Sequence, residues 1–210
     1  MSEQGKIALV TDASRGPGFE AARRLAERGV KALLGARSEE RGKEIEAKLR
    51  GEGFEAEFIL LDVNDEKTQE SAARVIKEKF GKLDILVNNA GSAMEGSAGL
   101  EIQAASQTPM EIYRKTFEAN FFALLTLTQK LLPLVKKSEA GRVVNLSGAL
   151  ESSTHHADPA SFLYDFKAPA YDASRAAVNS FTAHLAYELK DTPIKVNAAH
   201  PGWAPTDAQW

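Results

Sequence analysis

At 210 residues, 43% of them hydrophobic, the chain is long enough for one α/β domain with a sizeable core and too short for two of ordinary size. A formal charge of −3, with no Lys/Arg-rich block, argues against nucleic-acid and membrane-surface partners and leaves small molecules as the expected ones. The absence of cysteine excludes disulfides, thiol nucleophiles and thiolate metal sites, and the opening MSEQGK lacks the apolar stretch of a signal peptide, so the expected compartment is the cytoplasm.

Apolar runs at 7–11, 32–36, 58–61, 85–88, 142–146 and 194–198 read as six buried strands. Stretches with mixed apolar and charged faces at 19–28, 39–50, 66–80, 110–136 and 173–189 read as the helices that cover them. The longest apolar stretches, near 121–127 and 131–135, fall short of the ~20 residues that a membrane span needs. Alternating strand and helix predicts a Rossmann-like, doubly wound parallel sheet with helices on both faces, forming one domain over 1–210. Ligands of such sheets bind beyond the carboxyl ends of the strands, and every candidate motif follows a strand. The irregular segments 92–108 and 148–168 fall at that same edge, where a substrate mouth is expected.

The first strand runs into Thr11-Asp12-Ala13-Ser14-Arg15-Gly16-Pro17-Gly18 and then a helix. Glycines in such a turn let the backbone approach a pyrophosphate at a helix N-terminus, although a plain structural turn has the same look. Pro17 suits an early helical position because it needs no N–H partner. The second strand ends at Arg37, where an acid would read the ribose 2′-hydroxyl of NAD and an arginine accommodates a 2′-phosphate. Arg37, with Arg15 opposite, points to NADP with NAD possible; the plainer alternative is a solvated arginine. Asp12 occupies a position where a carboxylate at ~5 Å from a pyrophosphate would be unfavourable by ~3 kcal/mol at an effective dielectric near 20. The alternative for Asp12 is that it points away and caps the following helix or turn.

The turn at 11–18, Asp62-Val63, Asn88-Asn89-Ala90-Gly91, Asn120, Asn145-Leu146-Ser147, Tyr171-Asp-Ala-Ser-Arg175 and Pro201-Gly202 together resemble the ordered motif set of the short-chain dehydrogenase/reductases. The segment 164–171 further resembles the carbonyl-reductase-like branch. The resemblance implies hydride transfer between a nicotinamide cofactor and a carbonyl or alcohol, with Tyr171 as acid/base and Arg175, Ser147 and Asn120 in support. It also implies cofactor contacts from Asp12, Ser14, Arg15, Gly16, Pro17, Gly18, Arg37, Asp62, Val63, Asn89, Ala90, Gly91, Tyr171, Arg175, Pro201 and Gly202.

Three positions depart from that family. An unperturbed phenol titrates near ~10 and needs a neighbouring cation; one turn after Tyr171 the family usually carries lysine, and this chain carries Arg175. An arginine keeps the charge but stays protonated and relays no proton. The serine that normally holds the carbonyl is replaced by Gly148, leaving Ser147, one residue earlier, as a substitute if the backbone bends after it. Asp12 stands at the first glycine of the family turn. The family also continues through a further helix and a seventh strand beyond the sixth, which this sequence lacks, so the sixth strand is expected to be a sheet edge. A homo-oligomer is compatible with this. Of the remaining residues, His155 and His156 read as surface histidines with no metal site, His184 as partly buried packing, and His200 as a neighbour of the cofactor. Phe162, Tyr164, Phe166 and Trp203 read as an apolar pocket wall or as local packing. The competing functional reading is a non-catalytic dinucleotide-binding relative with a regulatory role.

Overall fold

Six parallel strands form one sheet in the order β3-β2-β1-β4-β5-β6. They are β1 (Ile7–Val10), β2 (Lys31–Ala36), β3 (Ala56–Leu60), β4 (Ile85–Asn88), β5 (Arg142–Leu146) and β6 (Lys195–Ala199). The computed structural model describes residues 3–92, 94, 104–148 and 152–202. Trp203 therefore lies outside the described residues. Chain order reverses between β1 and β4, which opens the crevice where ligands of such sheets bind.

Successive strand residues face opposite ways, and each face has its own core. Leu9, Leu33, Leu86 and Val143 meet Ile76, Leu127, Leu131 and Leu185 on one face. Those residues come from α3 (Glu66–Phe80), α5 (Ala123–Val135) and α7 (Pro169–Glu188). On the other face Val10, Leu34 and Val87 meet Ala22, Ala26, Ile45 and Leu49 of α1 (Gly16–Glu27) and α2 (Glu39–Gly51). Burial on both faces explains why these strands read as continuous apolar runs, each leucine contributing about 2 kcal/mol. No described helix is long and apolar enough to cross a membrane.

Apart from shifts of a few residues at element ends, the secondary structure differs from expectation at two places. The helix expected over 110–136 is α4 (Met110–Phe117) and α5, joined by one wide π-type turn at Glu118–Phe122. Such turns recur at functional sites, and this one sets Asn120 off the apolar stripe that α5 presents to the core. The segment expected to be irregular at 148–168 contains a short helix, α6 (Ser153–Ala157), whose first turn is capped when Ser152 Oγ accepts from His155 N.

Asp84 ties the opposite edge of the sheet together. Its buried carboxylate accepts hydrogen bonds from Ile7 N at 3.0 Å, Ser138 Oγ at 2.5 Å and Lys82 Nζ at 2.9 Å. Burial alone would push this carboxyl up, but the Ser138, Lys82 and Ile7 donors outweigh it and hold it below the usual range. The stability it supplies is thus complete above the ordinary carboxyl range near ~4 and is lost as pH falls through its lower folded value. Asp84→Ala should lose roughly 2–3 kcal/mol at neutral pH and flatten the acid limb of stability, as urea melts from pH 7 to 3 would show.

Candidate active site

The carboxyl ends of β1 and β4 are laced together. Thr11 Oγ1 accepts from Asn89 N and Ala90 N, both at 2.9 Å, while Asn89 Nδ2 donates to Thr11 O at 2.9 Å and Asp12 O at 3.2 Å. Gly18 sits against this lacing so closely that a Cβ would collide with the Asn89 amide and the Asp12 carbonyl. The turn between them places both Asp12 (φ 50°) and Gly16 (φ 55°) in the left-handed region. An aspartate tolerates that region better than most residues, at roughly 1–2 kcal/mol.

Of the two readings of Asp12, capping of α1 is not what forms. The N-cap is Arg15, with no side-chain cap and no acidic residue in the first turn, whereas Ser38 caps α2 and Asp65 caps α3. The first N–H groups of α1 are thereby left for an external acceptor. A turn that admits no side chain at Gly18, ahead of an uncapped helix start, fits the pyrophosphate of a dinucleotide. Arg15 and Arg37 are both exposed and in no ion pair among the described residues, although Arg23, Arg24 and Arg41 nearby are paired. Asp62 lies beyond β3, with its Oδ1 accepting from Asn64 N, and Val63 O accepts from Gln69. Asp12→Gly removes both the backbone cost and a negative charge beside the turn; dinucleotide affinity measured by fluorescence titration should tighten at least tenfold, or about 1.4 kcal/mol.

Tyr171 lies in the first turn of α7, which starts at Pro169 and is fixed by Asp172 Oδ2 accepting from Ala168 N at 3.2 Å. Arg175 follows one turn later, 6% exposed, with its Cζ 5.3 Å from the Tyr171 ring centroid. Its Nη1 donates to Leu146 O at 3.1 Å, and its guanidinium covers Gly91 so tightly that a Cβ there would overlap Nη2. Arg175 Nε is buried without a partner among the described residues. One side chain therefore joins the acid/base candidate to the ends of β4 and β5.

Asn120 is fully buried. Its Oδ1 accepts from Ser92 N at 2.8 Å, and its Nδ2 donates to Ser92 O and Ser174 Oγ, each at 3.0 Å. Ser174 in turn donates to Tyr171 O at 2.7 Å, so Asn120 braces the Asn89–Ser92 turn against the helix that carries Tyr171. Ser147 goes elsewhere. Its Oγ donates to Asn179 Oδ1 at 2.6 Å, and Asn179 is two turns along α7, ~12 Å of rise from Tyr171.

Beneath these groups a buried polar chain crosses from α5 to α7. Asn88 Nδ2 donates to Thr128 Oγ1 and Asn145 Oδ1, Asn145 Nδ2 donates to Thr182 Oγ1, and Thr182 Oγ1 donates to Val178 O. Sequence reading missed Thr128, Ser174, Asn179 and Thr182. The i, i+4, i+8 spacing from Tyr171 points to Asn179, but no sequence signal marks the others.

His156 is half-buried rather than a surface residue, with its Nε2 3.4 Å from Asp172 Oδ2. His155 is exposed, and so is His184, which was expected to be partly buried. His200, Pro201 and Gly202 are exposed at the end of β6, while Phe162, Tyr164 and Phe166 are exposed near the start of α7. No cluster of His, Asp and Glu able to hold a metal occurs among the described residues.

The sequence matches the family described as short chain dehydrogenase over residues 6–210. The chain belongs to that family. It is 32% identical to (+)-neomenthol dehydrogenase of Arabidopsis thaliana, over 98% of this chain and 85% of that protein. Its fold superposes with a TM-score of 0.80 on a variant actinorhodin polyketide ketoreductase solved with NADPH, at 30% identity over 99% of this chain and 73% of the other. A short-chain dehydrogenase of Shigella flexneri complexed with NADP gives a TM-score of 0.78 at 27% identity, over 94% and 77% of the two chains. As a member of this family the chain is an NAD(P)-dependent oxidoreductase of small molecules.

Proposed function

We propose that the chain interconverts a carbonyl compound and an alcohol with NADP(H) as the preferred cofactor, and that Tyr171 is its acid/base. The observation that carries this reading is the buried Arg175, packed on the Tyr171 ring and anchored to Leu146 O beside Gly91. Bound nicotinamide supplies or accepts the hydride. Tyr171 gives its proton to the carbonyl oxygen, and Arg175 stabilises the phenolate left behind. Asn120 holds the Asn89–Ser92 turn and α7 at a fixed separation. Ser147 holds the end of β5 through Asn179 rather than touching the substrate. The N–H groups of Gly16 and Gly18, on either side of Pro17, would hold the pyrophosphate, with Ser14 at the same turn. Arg15 and Arg37 meet the 2′-phosphate; Asp62, Val63, Asn89 and Ala90 contact the rest of the dinucleotide, and Pro201 and Gly202 border its nicotinamide end.

Fluorescence titration with NADPH and NADH, followed by turnover on aldehydes and ketones, tests the proposal. NADPH should bind more tightly, and Arg37→Ala should cut that preference by about tenfold, the loss of one phosphate contact worth roughly 1.5 kcal/mol. NADPH binding with no turnover on any carbonyl would favour the non-catalytic reading.

A further inference from the structure

Gln69 sits where the pattern of α3 calls for an apolar side chain. It is 2% exposed, on the buried stripe that it shares with Ala72 and Ile76. Its amide nitrogen has two protons and three acceptors within reach: Val63 O at 2.6 Å, and Ala123 O at 3.3 Å and Thr126 Oγ1 at 3.2 Å on α5. Carbonyl oxygens only accept, and Thr126 spends its own proton on Phe122 O and Ala123 O, so these neighbours decide which end of the amide is nitrogen. The other end, Oε1, is buried with no partner among the described residues. Packing alone gives no reason for such an amide, since a methionine of similar reach would bury no unpaired oxygen.

We propose, on the basis of the oxidoreductase reading above, that Gln69 is a positioning residue for the dinucleotide, aiming the Asp62 carboxylate at the amine of its adenine. The Val63–Asn64 peptide is the link. Gln69 Nε2 holds its oxygen, and its N–H donates to Asp62 Oδ1 at 3.0 Å. A peptide unit is a rigid plane, so a fixed oxygen fixes the direction of the N–H and, through it, the carboxylate. Thr68 holds the main chain of the same residue, its Oγ1 accepting from Asp62 N at 3.0 Å and donating to Asp62 O at 2.7 Å. Asp62 Oδ2 has no hydrogen bond among the described residues, and an ionised carboxylate only accepts. Asp62 follows β3, which lies beside β2 and Arg37, so it meets the half of the dinucleotide that bears the 2′-phosphate. On the base of that half, the exocyclic amine is a donor that suits this oxygen. An oxygen in place of the amine presents a second acceptor and is rejected.

The test is a fluorescence titration of the full chain with NADPH and with its analogue in which hypoxanthine replaces adenine. Wild type, Gln69→Met, Asp62→Ala and the double variant are compared. The wild type should prefer NADPH by about tenfold, the worth of one charge-assisted hydrogen bond. Gln69→Met should cut that preference to about threefold, and Asp62→Ala should abolish it. In the Asp62→Ala background, Gln69→Met should change the preference no further. A merely structural loss would weaken both ligands alike and leave their ratio intact, so a full preference in Gln69→Met overturns the proposal. NADPH binding with no preference in the wild type overturns it too. Amide exchange at Asn64, followed by NMR without ligand, should quicken by about tenfold in Gln69→Met as the peptide loosens, and an unchanged rate there counts against the proposal equally. Failure of the wild type to bind NADPH strikes the oxidoreductase reading, while exchange at Asn64 still decides whether Gln69 holds Asp62.

Discussion

Replacing Tyr171 by phenylalanine is expected to lower kcat by about 10³-fold while leaving NADPH affinity within about twofold. A positioned acid/base contributes roughly 10²–10⁴ in rate, and this site has few groups to take over the task. The ring itself is retained in the variant, so its contact with Arg175 and the start of α7 survive. The effect should therefore appear in kcat and in kcat/KM equally, as for an interaction made only in the transition state. Steady-state kinetics with one electron-poor aryl ketone, beside a fluorescence titration of each protein, would check it. A fall in kcat of less than tenfold would remove Tyr171 from the chemistry.

Arg175 carries two roles that different substitutions separate. Its guanidinium is buried, donates to Leu146 O and seals the Gly91 turn, so Arg175→Met leaves a part-buried carbonyl without its donor. That loss is worth roughly 1–3 kcal/mol, which lowers the midpoint of a 210-residue chain by about 3–10 °C. The same variant removes the cation beside Tyr171 and should cost about 10² in kcat. Arg175→Lys keeps the charge but not the planar fork that reaches Leu146 O beside Gly91. It should melt nearly as low as the methionine variant while holding kcat within about tenfold of wild type. Thermal melts and kinetics on the same preparations distinguish stability from catalysis, and parallel losses in both variants would show that charge plays no part.

The central strands β1, β2 and β4 were legible because burial on both faces makes them largely apolar, and the alternation with amphipathic helices left one sheet topology to expect. The single long helix at 110–136 was misread for a physical reason. A π-type turn keeps the apolar and polar composition of the helix it interrupts and adds one residue to its winding, so only the inward, fully buried Asn120 betrays it. Around the site, Tyr171, Arg175, Asn89 and Gly18 were visible through spacing and residue type, because a turn without a Cβ or a cation one helical turn away leaves a local signature. The destination of Ser147 was not visible. It depends on Asn179, 32 positions away, and on which way a serine turns at a strand end, which only packing decides. The environment of His156 was hidden likewise, since Asp172 reaches it from the start of α7.

The most direct measurement follows a labelled hydride. Reduction of an aryl ketone by the protein with [4,4-²H₂]NADPH, followed by mass spectrometry of the product, should give an alcohol carrying one deuterium on the former carbonyl carbon. Tyr171→Phe should yield roughly a thousandfold less of it at equal cofactor occupancy. Unlabelled alcohol, or the same labelled yield with and without the Tyr171 hydroxyl, would contradict the account.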